Sequence, residues 1–89
     1  MTTKNFRFKS LPKFIKKRRS QLNISQADLC RNIGMSPQQY SNIESGVAQM
    51  PDRFILPVSK ELEIETQKLI SRKINDIHKL TLWRVCGIK

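Results

Sequence analysis

The fold is decided by residues 26–45, which read QADLCRNIGMSPQQYSNIES. In the first half of this stretch, Leu29 and Ile33 lie four residues apart, as apolar side chains on one face of a helix do. In the second half, Tyr40 and Ile43 lie three residues apart, which is also a helical spacing. The pattern predicts two short helices, each with a single apolar stripe.

A sharp turn between these helices is predicted at Gly34, because glycine adopts positive φ without steric cost. The small side chain of Cys30 faces the predicted crossing and lets the two backbones approach closely. Ser25 and Ser36 each precede a predicted helix and are typical N-caps, and Pro37 suits a first helical turn. Two capped amphipathic helices joined by a glycine turn are typical of a helix-turn-helix.

The second of these helices carries polar side chains on its outer faces. An amide side chain can donate and accept hydrogen bonds at the same time, which suits it to the edge of a DNA base. We therefore predict that this helix reads bases. The candidate residues are Pro37, Gln38, Gln39, Ser41 and Asn42.

The charge of the chain predicts a polyanionic partner. Its 89 residues include 17 Lys and Arg but only 7 Asp and Glu, which gives a formal net charge of +10. The first acid is Asp28, so every charged residue before it is basic. One interpretation is a solvated surface that favours solubility, and the other is an arm and first helix that contact phosphates. Lys16, Lys17 and Arg53 are the candidate phosphate ligands.

Other classes of function find little support in the sequence. No stretch is long and apolar enough for a membrane span, and the basic N-terminus lacks the apolar run of a signal peptide. Two cysteines and one histidine form no metal-ligand spacing, and Cys30 is expected to be a buried thiol in a reducing cytoplasm. Glu61 and Glu63 face different ways on a helix, so they make no acid–base pair. We predict a cytoplasmic protein that is no enzyme and uses no cofactor or metal.

Helical periodicity divides the chain into three parts: a flexible basic arm over 1–9, a helical domain over 10–70, and an extension over 71–89. A first helix is predicted to begin after Ser10. A fourth is predicted to run to about Leu62, starting late or bending at Pro57, and a fifth to run from Glu65 to about Leu80. The expected fold is all-α, a compact bundle of about five helices.

The extension over 71–89 has a high apolar content. One alternative is that it completes the core by folding back over the first and fifth helices. The other is that it forms a subunit interface anchored by Trp83, since aromatic residues are enriched at interface cores. Both can hold at once. The candidate interface residues are Ile74, Ile77, Leu82 and Trp83.

With these residues in view, the chain resembles the Cro/CI-like (XRE) helix-turn-helix family of phage and bacterial regulators. The resemblance covers roughly residues 14–70, and it is carried by Arg19 and by the runs SQADL (25–29), IGMS (33–36) and SNIESG (41–46). It implies a lambda-repressor-like helical bundle that binds a palindromic operator as a homodimer. The second helix of the motif would lie in the major groove of double-stranded DNA, commonly as a repressor.

The resemblance also implies roles for particular residues. Relatives place a glutamine at the position of Gln26, where it contacts a phosphate and braces the recognition helix. Arg19 and Glu44 match a pair that forms a partly buried ion pair between the first and third helices. Relatives also use the loop after the recognition helix, here 47–50, for backbone contacts to phosphates.

Two features of the recognition helix differ from the family pattern. Tyr40 stands where relatives have an aliphatic residue; its ring is expected to pack on the core, and its hydroxyl is a candidate phosphate ligand. The helix has no arginine at its exposed positions, so Gln38 and Asn42 are expected to favour adenine over guanine.

One alternative from another class remains open. The domain would then be an antitoxin or a protein-interaction module whose main partner is another protein, with DNA binding used for autoregulation. The apolar extension would be the surface for that partner. Loss of partner binding without loss of DNA binding on removing the extension would distinguish this alternative.

Overall fold

A computed structural model describes residues 6–87 of the chain. These residues form five α-helices, and a short 3-10 turn over Asp52–Phe54 precedes the fourth; no strand occurs among them. The all-α fold of about five helices is therefore confirmed. In chain order the helices are α1 (Ser10–Gln21), α2 (Gln26–Ile33), α3 (Pro37–Glu44), α4 (Ile55–Glu61) and α5 (Thr66–Cys86).

The helix-turn-helix of α2 and α3 is built from the local signals seen in the sequence. The Ser25 hydroxyl accepts a hydrogen bond from the backbone N–H of Asp28, and the Ser36 hydroxyl accepts one from that of Gln39. Each serine thereby satisfies an N–H that has no partner inside its helix. Gly34 ends α2 with a φ of 73°, in the left-handed region that favours glycine.

The five helices bury one continuous apolar core, and α1 packs most extensively against α5. Cys30 is part of this core, and burial raises the pKa of its thiol. Pro57 is the third residue of α4, in the first turn, where its missing N–H breaks no helical hydrogen bond. Core residues from all five helices and their connections are Leu11, Ile15, Leu29, Cys30, Ile33, Met35, Tyr40, Ile43, Met50, Phe54, Ile55, Val58, Leu62 and Leu69.

The last helix is longer than predicted. α5 continues past Leu80 to Cys86. The expected domain boundary at residue 70 lies inside this helix, as it did inside the predicted one. Leu80 and Trp83 continue the buried face of α5 that begins at Leu69, which explains why the helix does not stop. Within the described residues, the extension therefore continues α5 and buries Leu80 and Trp83. Residues 88–89 lie outside the described residues.

The predicted flexible arm is wrong for residues 6–9, which pack against the helices. The N–H of Phe8 donates to the carbonyl of Gly46, just after α3, at 2.9 Å. The ring of Phe6 meets the edge of Trp83, with centroids 5.8 Å apart. Residues 1–5 of the predicted arm lie outside the described residues.

A buried carboxylate fixes the start of α1. Asp76, on α5, accepts hydrogen bonds from the backbone N–H groups of Ser10 and Leu11 at 2.9 Å and of Lys9 at 3.3 Å. These groups lie at the positive end of the helix dipole, where a negative charge is stabilising. Asp76 is 4% exposed, so this contact joins the start of α1 to the middle of α5 inside the protein.

Candidate nucleic-acid interface

The outer face of α3 presents the predicted base-reading residues together. Pro37, Gln38 and Ser41 are exposed, whereas Gln39 and Asn42 are half-buried. The Nε2 of Gln38 donates to the Oδ1 of Asn42 at 3.2 Å, so the two amides are linked along one face of the helix. Among residues 6–87, the remaining amide groups of this pair stay open to a partner in solution.

Behind this face, the carboxylate of Glu44 holds the recognition helix in place. Arg19 donates to it twice, from Nη2 at 2.8 Å and from Nε at 3.1 Å, and the ion pair predicted between α1 and α3 is confirmed. Gln26 donates from Nε2 at 2.8 Å, and the Tyr40 hydroxyl donates as well. Arg19 also donates from Nη1 to the carbonyl of Ile24, so one cluster joins α1, α2 and α3.

The ionisation of this cluster follows from its hydrogen bonds. Burial opposes ionisation of Glu44, but the donors Arg19, Tyr40 and Gln26 outweigh burial and keep the pKa of Glu44 below its ordinary value. The hydrogen bond with Glu44 likewise raises the pKa of Arg19. The cluster is therefore a charged pair at neutral pH, and it sets the angle of α3 to the rest of the bundle.

One candidate phosphate ligand is corrected by the structure. Tyr40 is fully buried, and burial together with its bond to Glu44 raises the pKa of its hydroxyl. The expected core packing of its ring is confirmed, whereas a phosphate contact by its hydroxyl is wrong, because a phosphate cannot reach a buried atom that is already bonded.

The loop after α3 differs from expectation as well. The backbone N–H groups of Val47 and Ala48 both donate to the carbonyl of Asn42, at 2.9 and 3.1 Å. Both N–H groups are therefore already hydrogen-bonded to the end of α3, and the expected phosphate contacts from these two groups are wrong. The side chain of Val47 is 53% exposed beside the recognition helix, a position that helical periodicity does not mark because it follows the helix.

The candidate cations are distributed over two sides of α1. Lys16 precedes Arg19 by three residues, so it lies on the flank that faces α3. Lys17 lies instead in a groove with Phe14 and Arg72, next to α5. Arg53 is exposed in the turn before α4, with its guanidinium 4.9 Å from the centre of the Phe54 ring. The structure thus groups Lys16, but not Lys17, with the recognition helix.

The candidate interface residues divide into two groups. Ile74 is 59% exposed and Ile77 38% exposed, on the outer face of α5, whereas Leu82 is half-buried. Trp83 is only 8% exposed and meets Phe6 of its own chain. Trp83 is therefore buried within its own chain, and the exposed members of the group are Ile74 and Ile77.

Comparison with known proteins agrees with this geometry. A protein-family model described as helix-turn-helix matches residues 15–69, which spans α1 to the start of α5 and includes the whole Glu44 cluster. A search of curated proteins found no match to the chain. Among residues 6–87, no helix is long and apolar enough to cross a membrane. From the family match and the capped α2–α3 pair, the chain belongs to the Cro/CI-like (XRE) helix-turn-helix family of DNA-binding regulators.

Proposed function

We propose that the chain is a sequence-specific transcriptional regulator, a repressor, that reads double-stranded DNA in the major groove with α3. It would act in the cytoplasm of a bacterial or phage-infected cell and exclude polymerase by occupying its site. The observation that carries the proposal is the linked amide pair of Gln38 and Asn42 on the outer face of α3, which the Glu44 cluster supports from behind.

The chemistry of this face favours A·T-rich readout. An amide side chain matches the acceptor and donor that adenine presents in the major groove. Pro37 and the exposed Val47 offer apolar atoms at the two ends of α3, and these suit thymine methyl groups. Gln39 and Ser41 would contact bases or the adjoining phosphates. The exposed positions of α3 carry no arginine, the side chain best suited to guanine.

Phosphate contacts would supply most of the affinity. The candidates are Lys16, on the flank of α1 that faces α3, the exposed Arg53 before α4, and the exposed Gln26, which begins α2 and donates to Glu44 of α3. If about six phosphates are neutralised per bound unit, log K should fall with log salt at a slope of about −5.

The exposed side of α5 supports the proposal of a homodimer on a palindromic operator. Ile70, Ile74 and Ile77 recur at helical spacing there, and each is at least 38% exposed. Apolar side chains in such a stripe favour burial against a second copy. Two copies related by a two-fold axis would place their recognition helices about 34 Å apart, in successive major grooves.

The first experiment is selection of bound sequences from a random duplex library at about physiological salt. An enriched palindrome with half-sites roughly 10 base pairs apart supports the dimeric regulator. A single enriched half-site supports base reading and contradicts the dimer. No enrichment contradicts base reading and favours the antitoxin or protein-interaction alternative, whose surface would be the exposed stripe of α5.

Gln38→Ala or Asn42→Ala is expected to weaken binding to the selected site by about 1–3 kcal/mol, because a base contact and the bond between the two amides are both lost. Binding to random duplex should be almost unchanged. Fluorescence anisotropy with both duplexes measures the two affinities. Equal losses on both duplexes would contradict the base-reading assignment, and Gln67→Ala, an exposed amide on α5, is the matched control.

Lys16→Ala or Arg53→Ala is expected to weaken binding to selected and random duplexes alike. Each should also reduce the salt slope by about one, because one phosphate contact and its released counterion are lost. Titrations at several salt concentrations measure the slope. Lys60→Ala removes an equally exposed charge from α4 and should leave the slope unchanged; a slope that stays the same in the Lys16 and Arg53 variants would contradict their assignment.

A further inference from the structure

A second cationic surface lies between α1 and α5. Two adjoining grooves share Ser10 and Lys13, and together they run along the contact between the two helices. We call this surface the α1–α5 groove. Its exposed cations are Arg7 and Lys9 before α1, Lys13 and Lys17 on α1, and Arg72 and Lys79 on α5.

This groove is separate from the recognition helix. Arg19 extends from one flank of α1 to Glu44 on α3, whereas Phe14 lies on another flank under Arg72 of α5. Five residues correspond to roughly 140° around a helix of 3.6 residues per turn, so these two side chains leave α1 in very different directions. A duplex held by α3 would therefore leave the α1–α5 groove uncovered.

Within residues 6–87, the groove is lined by one acid, Asp76. Its carboxylate is buried at the base of the groove, where its oxygens accept the N–H groups that begin α1. Within residues 6–87, the ion pairs Arg19–Glu44, Arg31–Asp28 and Lys73–Asp52 all lie outside the groove. The exposed lysines that line it, Lys9, Lys13, Lys17 and Lys79, are thus available to an anion from solution.

The arrangement of these cations suits an extended polyanion. Lys9, Lys13 and Lys17 follow one another at four-residue intervals, a rise of about 6 Å each along the helix. The guanidinium of Arg72 lies 4.9 Å from the centre of the Phe14 ring and donates to the Ser10 hydroxyl at 3.4 Å, so its position is fixed before a ligand arrives. A planar, fixed guanidinium is well suited to phosphate oxygens.

We propose that the α1–α5 groove binds the phosphate backbone of a second duplex, so that the protein bridges two DNA segments. The proposal rests on the proposed function for the first segment, which α3 holds. Phosphates suit the groove because its exposed cations follow one another along two helices, as the charges of a nucleic-acid backbone do. Backbone phosphates require only a row of cations.

A bridging assay tests the proposal. A duplex carrying the selected palindrome is immobilised and saturated with protein, and a labelled duplex of unrelated sequence is added at about 50 mM salt. The wild-type protein should capture the labelled duplex. The double variant Arg72→Ala/Lys79→Ala should capture at least about tenfold less labelled duplex, because two phosphate contacts are lost, while its affinity for the selected palindrome stays within about twofold.

The controls separate this proposal from the proposed function. Lys60→Ala/Arg84→Ala removes two exposed charges outside the groove and should capture the labelled duplex normally. Undiminished capture by Arg72→Ala/Lys79→Ala would overturn the groove proposal while leaving recognition by α3 intact. Release of the labelled duplex by polyglutamate as readily as by unlabelled DNA would also overturn it, in favour of an acidic protein. If the proposed function fails, the selection from the random duplex library will enrich no sequence, before any bridging assay is made.

Discussion

Arg19→Ala is expected to lower the free energy of unfolding by about 3–5 kcal/mol, because it leaves the carboxylate of Glu44 buried without its cation. The side chain of Glu44 is only 4% exposed, and the remaining donors, Gln26 and Tyr40, carry no charge at neutral pH. Urea unfolding at pH 7 measures the loss. The next residue back, Arg18, donates to the carbonyl of Leu62, and Arg18→Ala should cost only about 1 kcal/mol.

The dependence of this loss on pH identifies its origin. The pKa of Glu44 is lowered in the folded protein, so its ionisation stabilises the fold above the ordinary value of 4.5 and ceases to do so as the pH falls through the folded value. The difference in stability between wild type and Arg19→Ala should therefore narrow below pH 4.5. An equal difference at pH 7 and pH 3 would show that lost packing, not the ion pair, causes the effect.

Gly46→Ala is expected to lower the free energy of unfolding by about 3 kcal/mol or more, for two additive reasons. Gly46 has a φ of 86°, which an alanine adopts only with strain. A Cβ at this position would also lie 2.3 Å from the carbonyl oxygen of Phe8, far inside van der Waals contact. Because the oxygen belongs to the backbone and a Cβ has no rotamer by which to move away, residues 6–9 would have to leave their place beside α3.

Gly34→Ala provides the matched comparison. Gly34 has a similar φ of 73°, but a Cβ there would meet no heavy atom within 4 Å. Gly34→Ala should lower the free energy of unfolding by about 1–2 kcal/mol, because only the strain of the left-handed conformation is added. Equal costs for the two variants, measured by urea unfolding, would show that the close approach of Phe8 to Gly46 contributes nothing.

The helix-turn-helix could be predicted because its determinants lie close together in the chain. The hydroxyls of Ser25 and Ser36 each cap a helix three residues away, and Gly34 turns the chain by its own φ. The outer face of α3 follows from helical periodicity in the same way. The prediction of the ion pair between Arg19 and Glu44 required the family resemblance, since 25 residues separate its members.

Other features could not be predicted, because they depend on how distant segments meet. Asp76 reads as one more polar residue on a helix, and its role appears only when the start of α1 reaches it from 65 residues away. Lys16 and Lys17 are equivalent in sequence, and only the packing of α1 between α3 and α5 places them on different sides. The segment over 6–9 lacks periodicity because its contacts are made by two rings and the backbone.

The contact between Asp76 and the start of α1 also affects the order in which the protein becomes complete during synthesis. Residues 10–45, which contain the recognition helix, leave the ribosome well before Asp76 does. Until then, the first N–H groups of α1 have only water as a partner, and the ring of Phe6 has no Trp83 to meet. A nascent chain would thus present the recognition helix on an unfinished bundle until α5 has emerged and closed over α1.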